Sequence, residues 1–318
     1  MKNNNLIKGI LLAFSASIIS GVAIFYSKIS VAKVSPLILT ASRNFYVGFL
    51  FFILFLLSGR VKELKRLKKK QLLILILIGF IGGALPFYLF FTGLQYIPAI
   101  NANLIQKTLF VWVTILAVIF LKERITVGYF ISFGLIFIAN FFFAKSNLAL
   151  GKGEFMVLAA TLFWSVENIM AKKVLKNISS ELVGLFRMGI GGSLLMLTTL
   201  ITGKGQTLLS IINQPASAEA TAGKQLTIIL VGGTILFFYV YTWYKALKYA
   251  PASLVTLVLT FAVVVGNILN GAFAGVKILP KEVYSSLLIS AAAFIILIKT
   301  NVIPNLFRDL LSKNQMLK

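Results

Sequence analysis

The chain contains no cysteine and no histidine, and its 318 residues include only eight Asp and Glu side chains. Without Cys and His, zinc sites, thiol nucleophiles and His-based catalytic triads cannot be assembled. The only aspartate is Asp309, so the chain cannot form an aspartyl pair either. These absences argue against a membrane enzyme, and we expect neither a metal ion nor a cofactor.

Charged residues make up only 12% of the chain, whereas about 25% is usual in a soluble globular domain. Hydrophobic residues make up 59%, which excludes a water-soluble fold and a disordered protein. The net charge of +23 would suggest a nucleic-acid partner in a soluble protein. In a membrane protein it reflects the positive-inside rule, so we expect contact with membrane lipid and no nucleic-acid partner.

Apolar segments of about 20 residues, the length that crosses a bilayer as a helix, follow one another along the chain. Hydropathy therefore predicts an all-α integral membrane protein with ten transmembrane helices, over residues 8–28, 36–58, 71–92, 100–121, 125–143, 154–172, 181–202, 225–246, 252–274 and 282–299. The C-terminal stretch 301–318 alternates apolar and charged residues, which predicts a cytoplasmic amphipathic tail.

An internal repeat divides the ten predicted spans into two sets of five. Shifts of 144 and then 153 residues superpose identical residues, namely Gly9 on Gly153, Lys28 on Lys172, Arg43 on Arg187, Gly79 on Gly232, Tyr88 on Tyr241 and Pro98 on Pro251. We therefore assign residues 8–144 to a first five-span repeat and residues 153–300 to a second.

Because five is an odd number of crossings, the second repeat is expected to be inverted in the membrane. Basic residues are much more frequent in the connections on the N-terminal side, among them the stretch 60–70, than in those on the opposite side. This bias predicts a multi-pass protein of the cell membrane with both termini in the cytoplasm. Inverted repeats are typical of secondary transporters and also occur in channels.

Three local motifs resemble one known family. They are a Tyr-x-Pro-Ala turn before spans 4 and 9 (96–99 and 249–252), the pair Trp164-Ser165 in span 6, and the turn 121–124 after span 4. The chain is similar to the drug/metabolite transporter superfamily, specifically its ten-span EamA-type permeases. The resemblance implies two EamA repeats, a central cavity lined by spans 1, 3, 4, 6, 8 and 9, and export or exchange of small metabolites.

The chain departs from the family pattern at several positions. Val276 occupies the position in the second repeat that is equivalent to Glu123. The proline that relatives carry midway along spans 4 and 9 is replaced by Phe110 and Val263.

Charged residues within spans are costly, so each requires a partner or a function. Lys107 in span 4 either contacts substrate in the cavity, or else extends to the membrane surface or contacts a neighbouring helix. Glu167 in span 6 either pairs with Arg187 or binds a substrate amine or a coupling proton. The predicted substrate-binding candidates are Glu167, Trp164, Asn168, Lys107, Asn103, Tyr88 and Tyr241.

Three further charged residues are structural or gating candidates. Arg43 and Arg187 occupy equivalent positions in the two repeats, each about 10 Å along its span. The turn acid Glu123, between Lys122 and Arg124, belongs either to a gating ion pair or to a solvated turn.

Together these features predict a secondary transporter, an exporter or exchanger, of small organic metabolites such as amino acids, working by alternating access. A passive channel or a lipid flippase of the same fold is the alternative. The chain has no Gly-rich phosphate loop, so ATP does not drive it directly. The sequence leaves open the substrate, the coupling ion (a proton is one candidate) and whether the protein is a homodimer.

Overall fold

A computed structural model describes residues 2–31, 33–97, 99–141, 151–213, 221–273 and 278–299, which form helices and short connections. The helices are α1 Lys2–Val31, α2 Pro36–Leu57, α3 Val61–Lys65, α4 Lys69–Ile78, α5 Leu85–Gly93, α6 Ala99–Lys107, α7 Leu109–Leu121, α8 Val127–Phe141, α9 Lys152–Val174, α10 Ser180–Leu185, α11 Gly191–Ile201, α12 Gly205–Asn213, α13 Thr221–Tyr249, α14 Ala252–Leu259, α15 Ala262–Phe273 and α16 Pro280–Lys299. Two π-helical segments, Gly79–Ala84 and Phe186–Ile190, join α4 to α5 and α10 to α11.

These helices make up ten spans, which confirms the predicted all-α membrane fold. Among the described residues, nine segments are long and apolar enough to cross a membrane, and Val127–Asn140 is a shorter apolar helix. Spans 1 to 10 are α1, α2, α4 with α5, α6 with α7, α8, α9, α10 with α11, α13, α14 with α15, and α16. The predicted tail, 301–318, lies outside the described residues.

Helices of the two predicted repeats pack against each other in matching pairs. Span 1 packs against span 8 through α1 and α13, and span 6 packs against span 3 through α9 and α5. Span 2 packs against span 7, and span 5 against span 10. Since shifts of 144 and 153 residues relate spans 1 and 3 to spans 6 and 8, the first two pairs are equivalent contacts. The two halves therefore form one continuous core.

Spans 4 and 9 are both interrupted at equivalent positions. The α6 helix ends at Lys107 and α7 begins at Leu109, while α14 ends at Leu259 and α15 begins at Ala262. At each break a threonine hydroxyl donates a 2.6 Å hydrogen bond to the carbonyl three residues earlier, Thr108 to Ile105 and Thr260 to Leu257. Such local side-chain bonds compete with the regular helical pattern, which explains a break without proline.

The two π-helical segments lie against each other at very short range. A Cβ atom added to Gly83 would lie 2.1 Å from the carbonyl oxygen of Arg187. One added to Gly191 would lie 2.4 Å from the backbone of Gly83. Only glycine allows backbones to approach this closely, so these residues bring span 3 of the first repeat onto span 7 of the second.

Candidate functional site

A buried cluster around Glu167 lies where spans 3, 6, 7 and 8 meet. The hydroxyl of Tyr244 donates a hydrogen bond to Oε1 of Glu167 at 2.6 Å. The Nε atom of Arg187 lies 3.9 Å from the same oxygen, and the guanidinium lies over the Tyr244 ring, 5.9 Å from its centre. The Glu167 side chain is 1% exposed and that of Arg187 is 12% exposed. The structure therefore brings together the predicted pair of Glu167 and Arg187.

Gly82 in the first π-helical segment makes room for this cluster. A Cβ atom at Gly82 would lie 2.3 Å from Cγ of Glu167 and 3.3 Å from Nε of Arg187. The indole Nε1 of Trp164 donates a 3.1 Å hydrogen bond to the carbonyl oxygen of Gly82. The carbonyl of the π-helical segment thus has an indole partner, and the charged pair packs directly against the backbone of the other repeat.

Trp164 and Asn168 extend the cluster along the same face of α9. The Trp164 ring contacts Phe87 and Phe90 of α5, with ring centres 5.2 and 5.8 Å apart. Asn168 donates from Nδ2 to the carbonyl of Trp164 at 2.8 Å and accepts at Oδ1 from Trp243 at 3.1 Å. Three predicted substrate candidates, Glu167, Trp164 and Asn168, therefore share one buried face.

Lys107 lies at the break in span 4, as the last residue of α6. Its half-buried side chain forms no hydrogen bond or ion pair with another described residue. The next residue, Thr108, accepts a 3.0 Å hydrogen bond from the indole of Trp112, which fixes the geometry of the break. Asn103 lies one turn earlier in α6, and its side chain is outside the described part of the structure. Within the described residues, Lys107 and Glu167 do not form an ion pair.

The equivalent tyrosines Tyr88 and Tyr241 lie in different environments. Tyr88 in α5 is 41% exposed. Tyr241 in α13 stacks on Phe237 with ring centres 6.1 Å apart and accepts a hydrogen bond from Lys245. Neither tyrosine hydroxyl contacts the Glu167 cluster among the described residues, so the two tyrosines are separate candidates.

Arg43 occupies the position equivalent to Arg187 but has no acidic partner among the described residues. Its Nη1 atom donates to the hydroxyl of Ser27 at 2.9 Å, while its buried Nε has no hydrogen-bond partner there. It packs beside the second repeat, since a Cβ atom at Gly232 would lie 3.6 Å from its Cδ. Ala23 stands where the second repeat has Glu167, which explains the missing carboxylate.

Glu123 joins the end of span 4 to the beginning of span 9. Its carboxylate accepts hydrogen bonds from the backbone amides of Ala252 at 2.7 Å and Ser253 at 3.1 Å, and from the Ser253 hydroxyl at 2.5 Å. A carboxylate at the first turn of a helix satisfies free N–H groups and the helix dipole. The sequence favoured either a gating ion pair or a solvated turn for Glu123. It did not predict hydrogen bonds to Ala252 and Ser253, which lie far along the chain.

Lys172 holds the same turn from the other side. Its ammonium donates to the carbonyl oxygens of Leu247 at 2.5 Å and Ala250 at 2.6 Å, at the C-terminal end of α13. In the sequence, Lys172 is recognisable only as the repeat equivalent of Lys28. We call Glu123, Lys172 and the backbone of residues 247–253 the latch.

Comparisons with known proteins identify one transporter family and one similar fold. Residues 7–144 and 151–298 each match the family described as the EamA-like transporter family. A protein of Methanothermobacter thermautotrophicus named "uncharacterized transporter" is 25% identical over 213 residues, which are 61% of this chain and 62% of that relative's length. A solved crystal structure is similar with a TM-score of 0.72 at 16% identity, covering 90% of this chain and 95% of the other, which supports the fold alone.

Proposed function

The chain belongs to the EamA-like transporter family, and on this premise we propose that it is a secondary carrier that exports or exchanges small organic metabolites. Amino acids are the proposed substrate class, and alternating access is the proposed mechanism. The protein is a multi-pass membrane protein, so its substrate must pass between helices that are also in contact with lipid.

The equivalent interruptions of spans 4 and 9 are the observation that carries this proposal. Interrupted helices, related by the repeat, are typical of carriers, because their free ends supply polar groups near the middle of the membrane. In this chain the breaks follow Lys107 in one repeat and Leu259 in the other. A pair of breaks gives each repeat a hinge at an equivalent position, which suits an exchange between two conformations.

Lys107 at the break in span 4 and Glu167 in span 6 together favour a zwitterionic substrate. The Lys107 ammonium has no described partner and can receive a carboxylate from the solute. Glu167 has Tyr244 and Arg187 as partners, and it can receive an amine or a proton when these partners move. Trp164, Phe87 and Phe90 supply an apolar wall beside it.

The latch is a second observation that supports alternating access. Glu123 belongs to the first repeat and its partners Ala252 and Ser253 to the second, so opening between the repeats at this end must break these hydrogen bonds. Val276 occupies the equivalent position in the second repeat, and its side chain cannot accept such bonds. We propose that the two ends therefore differ in how easily they open, and that the end with the latch is closed at rest.

Counterflow in proteoliposomes tests the proposal. Vesicles containing the purified protein are loaded with an unlabelled amino acid at high concentration, and uptake of the same labelled amino acid is measured across a panel. A carrier accumulates the label transiently above its external concentration, and the initial rate saturates. Uptake that is linear in concentration and independent of the internal solute would instead indicate a channel and contradict the proposal.

A further inference from the structure

A basic pocket lies away from the Glu167 cluster, where the connection between spans 2 and 3 meets the turn between spans 6 and 7. Its volume is about 660 Å³, and it is lined by Arg60, Lys62, Glu63, Arg66, Leu67, Lys68, Gln71, Asn177 and Ile178. Four of these residues are cations and one is an acid. The positive-inside rule accounts for basic residues in this connection, but it does not require them to surround a cavity.

The acids near the pocket are already engaged. Glu63 accepts a 2.7 Å hydrogen bond from the backbone amide of Ser179, which ties α3 to the turn before α10. Glu181 accepts a 3.0 Å hydrogen bond from Arg60 and lies 3.8 Å from the ammonium of Lys245. The carboxylates of Glu63 and Glu181 therefore hold the walls of the cavity together through these bonds.

Three of the lining cations have no partner within the part of the protein that the structure describes. Among the described residues, the side chains of Lys62, Arg66 and Lys68 form no hydrogen bond or ion pair. Gln71 and Asn177 add amide groups to the same cavity. Several cations and hydrogen-bond donors around one cavity are complementary to a phosphate group, which accepts charge-assisted hydrogen bonds.

The surroundings of the pocket favour a phosphate that carries acyl chains. Val61 and Leu64 of the short α3 helix are 40% and 44% exposed beside the basic residues. Span 3 begins at Lys69, and its first two turns expose Leu72, Leu73 and Ile76. A headgroup in the pocket would therefore lie at the end of a span whose first two turns expose apolar side chains, and acyl chains could pack on these side chains. Basic pockets beside transmembrane helices bind acidic lipid headgroups for the same electrostatic reason.

We propose that this pocket binds the headgroup phosphate of an anionic phospholipid. The lipid would occupy a site separate from the transported solute, between the connection that carries α3 and the turn that precedes α10. Arg60 connects the pocket through Glu181 to Lys245 of α13, which in turn donates a hydrogen bond to Tyr241, so a bound lipid would be linked to span 8 through these side chains.

Native mass spectrometry of the purified full chain tests this site, with phosphatidylglycerol and phosphatidylcholine of identical acyl chains as probes. The test variant is K62Q/R66Q/K68Q. The matched control, K65Q/K69Q/K70Q, removes the same charge from the same connection at residues that do not line the pocket. We expect the wild type to retain phosphatidylglycerol about tenfold better than phosphatidylcholine. The test variant should lose about tenfold of this retention, and the control less than about twofold.

Two results would overturn the proposal. Equal losses in the two triple variants would show that diffuse surface charge, rather than the pocket, attracts the lipid. Displacement of phosphatidylglycerol by inorganic phosphate alone would assign the pocket to a soluble anion instead of a lipid. Retention of phosphatidylglycerol in excess phosphate, lost only in the pocket variant, supports the lipid site.

Discussion

The carboxylate of Glu123 accepts hydrogen bonds from both the backbone amide and the hydroxyl of Ser253, at 3.1 and 2.5 Å. The two residues belong to different repeats, and each stands at the end of an interrupted span. One side chain therefore fastens the end of span 4 to the start of span 9. In the proposed mechanism, opening at this end requires the loss of these bonds.

Removal of the Glu123 carboxylate should open this end more often. Thr256 is buried one turn beyond the latch, and the chain has no other cysteine to remove, so T256C reports access directly. We expect E123A to raise the rate at which N-ethylmaleimide modifies T256C by about fivefold to thirtyfold, because loss of a helix cap costs about 1–2 kcal/mol. The rate is measured by mass shift of the purified protein.

E282A provides a control for the capping effect alone. Glu282 accepts a 2.8 Å hydrogen bond from the amide of Leu279, at the start of its own helix α16. Its loss should leave the modification rate of T256C unchanged. Equal acceleration by E123A and E282A would mean that general instability, not the latch, exposes Thr256.

Substitutions of Glu167 and Arg187 should have strongly non-additive effects on the free energy of unfolding, because the two side chains form a buried pair. R187M leaves a carboxylate that is 1% exposed without its cation, so we expect a loss of about 3–5 kcal/mol in the free energy of unfolding. The double variant E167Q/R187M should recover most of this loss, since neither charge remains. The free energy of unfolding of each variant is measured on the purified protein in detergent.

The repeat offers a matched control in Arg43. Its guanidinium has no acidic partner among the described residues, so R43M removes an unpaired charge and should cost much less stability than R187M. If the double variant E167Q/R187M were as unstable as R187M, the two charges would not stabilise each other and the pairing would be wrong.

Lys107 should determine affinity for the carboxylate of the solute. We expect K107M to raise the substrate concentration for half-maximal counterflow by about tenfold or more, because a charge-assisted hydrogen bond is lost. K107R retains the charge and should recover much of the affinity. Unchanged affinity in K107M, with normal expression, would leave Lys107 without a role in binding.

The sequence predicted the number and order of spans because apolar length is a local signal and because the internal repeat can be read directly from identical residues at fixed shifts. It also offered the pair of Glu167 and Arg187 as one of two alternatives. The breaks at Thr108 and Thr260 were not predicted, since threonine within an apolar run is common and no proline marks the position. The bonds between Glu123 and Ser253 were not predicted either, because partners 130 residues apart leave no local pattern.

The inverted orientation of the repeats remains a prediction that two exposed residues can test. Ser58 follows span 2 and Thr207 follows span 7, so they occupy the corresponding connection in each repeat. In right-side-out vesicles, an impermeant maleimide should label T207C and leave S58C unmodified until the membrane is made permeable. Labelling of both from the same side would contradict an inverted repeat.

Alternating access is tested most directly by reversible cross-linking across the latch. The variant E123C/S253C carries the only two cysteines in the chain, one in each repeat, and a short thiol-cleavable bifunctional reagent joins them. Counterflow should be abolished in the cross-linked protein and restored by reductive cleavage, while each single-cysteine variant remains active after the same treatment. Full counterflow in the cross-linked protein would show that transport does not require these two ends to separate, and would contradict the account.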